Sequence, residues 1–145
     1  IEKIIALGKE MINKPVVLIP DIKDTLDYLL PKYKLIIATK GDLKDQERKL
    51  EKSSLSKYFH HIEIMTDKTE THYKKLLKLL EIRADEFMMV GNSIKSDIIP
   101  VLNLGGFAAH IPFHTTWQHE DIKKPSIENE RFYELSSNSE LKSIF

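Results

Sequence analysis

The sequence predicts an α/β domain built on a doubly wound parallel sheet, and three observations predict it. Short apolar runs such as KLIIAT (34–39) and EFMMVG (86–91) are bounded by charge or glycine, the pattern of strands buried on both faces. Between such runs lie amphipathic segments, of which THYKKLLKLLEI (71–82) is the strongest. The connections are short, which suits right-handed βαβ crossovers with helices on both faces of the sheet.

Taken in order, residues 1–13 space Ile1, Ile4, Ile5, Leu7, Met11 and Ile12 at helical intervals and predict an amphipathic helix. NKPVVLIP then breaks it with two prolines. Ile22, Leu26, Leu29 and Leu30 restore helical spacing up to Pro31, and KLIIAT follows as a buried strand. Helical pattern resumes from Asp42 to about Lys52. HIEIM (61–65) alternates as a second strand, 71–82 forms a helix, and EFMMVG is a third strand. IIPVLNLG (98–105) predicts a helix stopped by Gly105 and Gly106, and FAAHI (107–111) a fourth strand. RFYEL (131–135) predicts a fifth strand with a short helix after it. Ligands of such sheets gather beyond the carboxyl ends of the strands, which directs attention to the residues after Ala38, Met65, Val90 and His110.

The bulk composition narrows the function classes. At 145 residues the chain suits one domain, and 41% apolar with 30% charged residues is ordinary globular usage. Lys and Arg (22) balance Asp and Glu (22), so no long-range field draws the protein to nucleic acid or an anionic membrane. Without cysteine there is neither a disulfide framework nor a thiolate metal site. No apolar run approaches the roughly 18 residues of a membrane span. The expectation is a soluble, cytoplasmic protein with no nucleic-acid or membrane partner.

Three features collect at the predicted strand ends. After LIIA, Thr39-Lys40-Gly41 offers a hydroxyl and free backbone N–H groups at a helix start, suited to an anion. A plain capping turn with Asp42 as N-cap accounts for the same residues. After EFMMV, the run GNSIKSD brings Asn92 and Asp97 to the start of a helix, where an amide oxygen and a carboxylate suit a hard cation such as Mg2+. Capping by Asn92 or Ser93, with Asp97 favoured by the helix dipole, is the structural counterpart. Lys68, between a strand and a helix, suits a phosphate or is simply solvated.

Two other clusters compete for attention. VVLIPDIKDTL (16–26) places Asp21 and Asp24 after an apolar run, but Pro20 and the spacing of Ile22, Leu26 and Leu29 mark them as a helix start. HIPFHTTWQHE (110–120) gathers His110, His114 and His119 with Trp117 and Glu120. Their spacing does not match a zinc ligand pair, and an active-site loop or homodimer contact is the expectation.

LIIATKG, DKTETHYKKLL and EFMMVGNSIKSDI, in that order, resemble the second, third and fourth motifs of the haloacid dehalogenase-like hydrolases. IPDIKDTLDYL resembles the segment that leads into the second motif. The resemblance implies that Thr39 hydrogen-bonds a transferring phosphoryl group, assisted by the backbone of Lys40 and Gly41. It implies that Lys68 neutralises phosphate charge and holds the nucleophile, and that Asp97 and Asn92 hold Mg2+. Lys74 and Lys75 are rivals for the lysine role, but they fall inside the predicted helix.

Two departures from the family pattern matter. Asn92 stands where the family usually has Asp. The first motif, Asp-x-Asp-x-Thr after a buried strand at the centre of the sheet, is absent from the sequence. The expected fold is therefore a core of this type without its first central strand and with most of its helical cap missing. Residues 1–19 would be the end of the cap or its return helix and linker, and 20–145 the core. The chain starts at Ile1 and is expected to be the C-terminal part of a longer protein. The implied activity of that protein is Mg2+-dependent hydrolysis of a small phosphorylated substrate through an aspartyl-phosphate, with this chain alone inactive. A catalytically inactive binding or scaffold module is the alternative. A dehalogenase fits less well, since it would have no use for Asp97 as a metal ligand, and a receiver domain would need an early acidic cluster.

Overall fold

Six short strands lie side by side in one sheet in the order β3-β2-β1-β4-β5-β6, every adjacent pair parallel. The computed structural model describes residues 3–8, 22–40, 42–112 and 128–144. The elements are β1 Ile4–Leu7, α1 Ile22–Leu29, β2 Lys34–Thr39, α2 Leu43–Ser53, β3 His61–Ile64, α3 Glu70–Leu80 and β4 Phe87–Gly91. A π-helical turn at Ile94–Ile98 then runs into α4 (Ile99–Asn103), followed by β5 (Phe107–His110), β6 (Phe132–Glu134) and α5 (Leu141–Ile144). The doubly wound α/β class is as expected.

The amino-terminal segment departs from expectation. Ile4–Leu7, read as part of a helix over 1–13, is a strand, and it occupies the central place expected to be missing. Ile4 to Leu7 pair with Lys34 to Ile37 on one side and with Phe87 to Val90 on the other. The physical reason is that four consecutive apolar residues satisfy a helix stripe and a doubly covered strand equally well. Here both neighbouring strands offer a full ladder of backbone partners, and the side chains are at most 5% exposed. Residues 9–13 of the expected helix, and the boundary expected at residue 19, lie outside the described residues.

Alternation along the strands sorts the core into two layers. Ile5, Leu7, Leu35 and Ile37 face α1, α2 and α5, packing on Leu26, Leu29, Leu50 and Leu141. Ile4, Ala6, Ile36 and Ala38 face α3 and α4, packing on Tyr73, Leu76, Leu77 and Val101. Tyr73 and Phe87 meet with ring centroids 6.4 Å apart. Gly105 ends the helical segment at φ 91°, a left-handed conformation that glycine adopts without strain.

Gln46 is an exception in this core. In the first turn of α2 it is fully buried, and neither amide atom has a hydrogen-bond partner among the described residues. An unpaired buried amide costs about 1–3 kcal/mol. Gln46→Leu is therefore expected to raise unfolding stability by roughly 1 kcal/mol, read as a higher urea midpoint with an unchanged slope. A lower midpoint would mean that the amide has a partner.

Candidate active site

Sheet order determines where a ligand can sit. From β1 the chain crosses by α1 to β2 on one side, and from β4 it crosses by α4 to β5 on the other. Between β1 and β4 the winding reverses, and ligands of such sheets bind beyond the carboxyl ends at that switch point. β1 leads there into Gly8, whose N–H donates to Val90 O at 2.9 Å, and β4 ends at Gly91.

The sequence-predicted residues come to this edge from three strands. Thr39 is the last residue of β2 and is fully buried. Lys68 follows β3 and is 8% exposed, whereas its rivals Lys74 and Lys75 lie on the exposed face of α3. Asp97 lies in the π-helical turn after β4, 2% exposed. β3 and β4 stand three strand spacings apart, about 14 Å. The loops nevertheless fold inward far enough for Lys68 Nζ to donate to Asp97 Oδ1 at 2.7 Å.

Asp97 is fixed from several sides. Its Oδ2 accepts the Ser93 N–H at 3.2 Å, and its own N–H donates to Ser93 O at 2.8 Å. Ser93 Oγ caps the turn by accepting from Ser96 N at 3.1 Å. The carboxylate also lies over Gly91, where a Cβ would meet Oδ2 at 2.1 Å. Only glycine leaves room for it. The wide π-helical turn, a feature common at functional sites, is what brings Asp97 back over the strand end. Tyr73 OH donates to Ser96 O at 2.9 Å, and burial, then the nearby Asp97 charge, push its phenol well above the usual tyrosine range. It is a neutral donor to that turn.

On the outer side Lys40 Nζ lies 3.4 Å from Asp67 Oδ1, both half-exposed, and Asp67 accepts the Lys68 N–H at 2.8 Å. That N–H, then the Lys40 ammonium, hold the Asp67 carboxyl below the ordinary carboxylate range. Asp42 caps α2, its Oδ2 accepting from Asp45 N at 3.0 Å, so the capping role holds for that residue. Gly41, His114 and His119 lie outside the described residues. His110 ends β5 with Nε2 3.0 Å from Asn92 O and Nδ1 2.7 Å from Glu134 Oε2.

The donors suit Mg2+ in kind. Mg2+ takes hard oxygens and needs only one or two carboxylates beside waters and substrate phosphate oxygens. Asp97 could supply the carboxylate and Asn92 an amide oxygen. Among the described residues no group of three or more His, Asp and Glu forms a closed metal cage. None of their helices is long and apolar enough to cross a membrane.

Of the residues singled out in the sequence, Thr39, Lys68 and Asp97 come to this edge; Asp67, Gly91, Tyr73 and the His110–Glu134 pair, which contact or flank them, were not singled out. Gly91 was visible as a glycine at a strand end. The others depend on partners 20 or more residues away in sequence or on loop shape, and no local pattern marks them.

A family model described as haloacid dehalogenase-like hydrolase matches residues 1–108. Among solved structures, the haloacid dehalogenase-like family hydrolase from Xanthomonas campestris is 30% identical, with a TM-score of 0.73 over 92% of this chain and 55% of its own. The HAD phosphatase from Thermococcus onnurineus is 25% identical, with a TM-score of 0.68 over 88% of this chain and 57% of its own. The HAD-hydrolase YfnB from Bacillus subtilis, solved bound to magnesium, is 20% identical, with a TM-score of 0.69 over 88% and 54%. The chain thus spans about half the length of these three structures. No curated protein matches it.

Proposed function

This chain belongs to the haloacid dehalogenase-like hydrolase family, and from that premise we propose that its carboxyl edge binds the phosphoryl group of a small phosphorylated substrate together with Mg2+. The observation that carries the reading is the buried Lys68–Asp97 pair at the carboxyl edge of the sheet, the same edge at which the buried Thr39 ends β2. A buried ion pair is weak as a stabilising device, because desolvation of both charges offsets their attraction. A phosphate gives it a use. Phosphoryl transfer depends on positioning and on neutralising equatorial oxygens, and a lysine with a hydroxyl donor supplies both.

In this reading the Thr39 hydroxyl donates to a phosphoryl oxygen, assisted by the Lys40 backbone. Lys68 would turn from Asp97 toward the phosphate, and Asp97 with the Asn92 amide oxygen would hold the cation. When bound, Mg2+ neutralises phosphate charge and orients the transferring group. The phosphatase from Thermococcus onnurineus and the magnesium-bound YfnB support these two assignments by likeness.

Hydrolysis through an aspartyl-phosphate needs a carboxylate nucleophile. At the end of β1 the chain has Leu7-Gly8-Lys9-Glu10, and no Asp-x-Asp occurs in the sequence. Gly8 favours a second reading, a module that binds phosphate without turnover. For the 145-residue chain itself we expect Mg2+-dependent binding of inorganic phosphate, with hydrolysis of a generic aryl phosphate at background. Calorimetry with phosphate, with and without Mg2+, checks this. Lys68→Ala should weaken phosphate binding about 10-fold to 100-fold, the loss of one charge-assisted hydrogen bond. Binding indifferent to Lys68 would overturn the reading, and Mg2+-dependent turnover would remove the second one.

A further inference from the structure

We propose that His110 and Glu134 are positioning residues for the loop that carries Asn92 and Asp97, a proposal that rests on the reading of that loop as metal-facing. The loop is held on one flank by Lys68 on Asp97 and by Tyr73 on Ser96. On the opposite flank the Asn92 carbonyl is gripped by His110. A carbonyl can only accept, so Nε2 carries the hydrogen and donates to Asn92 O at 3.0 Å. The other ring nitrogen, Nδ1, shares a proton with Glu134 Oε2 at 2.7 Å, so the ring can neither flip nor swing without breaking a bond.

The register makes this a built line. Gly91 pairs with His110, and His110 pairs with Glu134, at the carboxyl ends of β4, β5 and β6. Backbone bonds continue it, from Ile111 N to Gly91 O at 3.0 Å and from Leu135 N to His110 O at 2.9 Å. The His110 side chain is 5% exposed, while Glu134, at 38%, anchors it from the sheet edge. The next residue after Asn92 is Ser93, whose N–H holds Asp97 Oδ2. Fixing the Asn92 carbonyl therefore fixes the peptide plane that presents the Ser93 N–H, and through it the Asp97 carboxylate. A histidine that merely filled space would need neither partner.

The test uses two readouts on the 145-residue chain. The first, without metal, is hydrogen exchange of the Ser93 amide together with the Asp97 carboxyl resonance. The second is Mg2+ affinity by calorimetry. In His110→Phe, which keeps bulk and loses both bonds, Ser93 exchange should quicken about tenfold and Mg2+ affinity should fall about 10-fold to 100-fold, as for outer-shell partners of a metal site. Glu134→Gln, which keeps an acceptor, should stay within about threefold of the parent on both. If His110→Phe does not fold, Glu134→Ala, at a half-exposed edge position, must still quicken Ser93 exchange. Ser93 and Asp97 signals unmoved in these variants, with only the melting temperature lowered, would overturn the positioning role. A parent chain that binds no Mg2+ while Ser93 still responds would leave the positioning standing and remove the metal reading.

Discussion

Asp97→Ala is expected to destabilise the domain by about 3–5 kcal/mol, because it strands the Lys68 ammonium in a buried site. Lys68 is 8% exposed, and its Nζ donates to the Asp97 carboxylate at 2.7 Å among the described residues. The Ser93 N–H would lose its acceptor as well. Replacing both partners together, as in Lys68→Met with Asp97→Leu, should recover most of that loss, since an apolar pair removes the cost of desolvating two charges. Urea unfolding of the parent, the two single variants and the double variant measures the difference. The double variant is also expected to bind no phosphate. That contrast separates a pair kept for its chemistry from one kept for stability. A double variant as unstable as Asp97→Ala would show that the charges themselves hold the fold.

Gly91→Ala is the second large effect. The added methyl would lie 2.1 Å from Asp97 Oδ2 and 2.5 Å from its Cγ, so the carboxylate must leave its place. Overpacking of this kind costs about 1–3 kcal/mol, and the displaced Asp97 forfeits its bonds to Lys68 and Ser93 besides. A total near 3 kcal/mol or above is expected from these two sources, seen as a fall of the urea midpoint and loss of Mg2+-dependent phosphate binding. An alanine variant as stable as the parent, with phosphate binding intact, would mean that the turn at Ile94–Ile98 yields easily. The effect differs in kind from that of Gly105, where the backbone lies at φ 91° and a Cβ would touch nothing within 4 Å. One glycine makes room for a carboxylate, and the other permits a left-handed turn.

Both predictions fall on residues at the ends of strands whose existence was legible in the amino-acid order. KLIIAT and EFMMV are short apolar runs closed off by charge, glycine or polar residues, the length and flanks of a strand in the interior of a parallel sheet. Thr39 and Asp97 follow from those strands by the rule that sites lie beyond carboxyl ends. Lys68 is separable from Lys74 and Lys75 because the latter fall on the polar stripe of a helix whose apolar stripe is Tyr73, Leu76 and Leu77. The opening segment was read the other way. Ile4, Ile5 and Leu7 fit a helical stripe as well as a strand, and local spacing contains no term for the two strands waiting on either side.

The sequence by itself determined the α/β class, the alternation of elements, and the residue types gathered at one edge of the sheet. Those depend on periodicity and on short-range stop signals, which a linear order records in full. Only the tertiary structure decided that Ile4–Leu7 is the central strand, that Lys68 closes on Asp97, and that His110 links Glu134 to Asn92. Each of these joins groups 18 to 83 residues apart, as Asn92 to His110 and Ile4 to Phe87 illustrate at the two ends. Such contacts are selected by the free energy of burying and pairing polar groups once the sheet has formed, and that energy has no signature in local residue order.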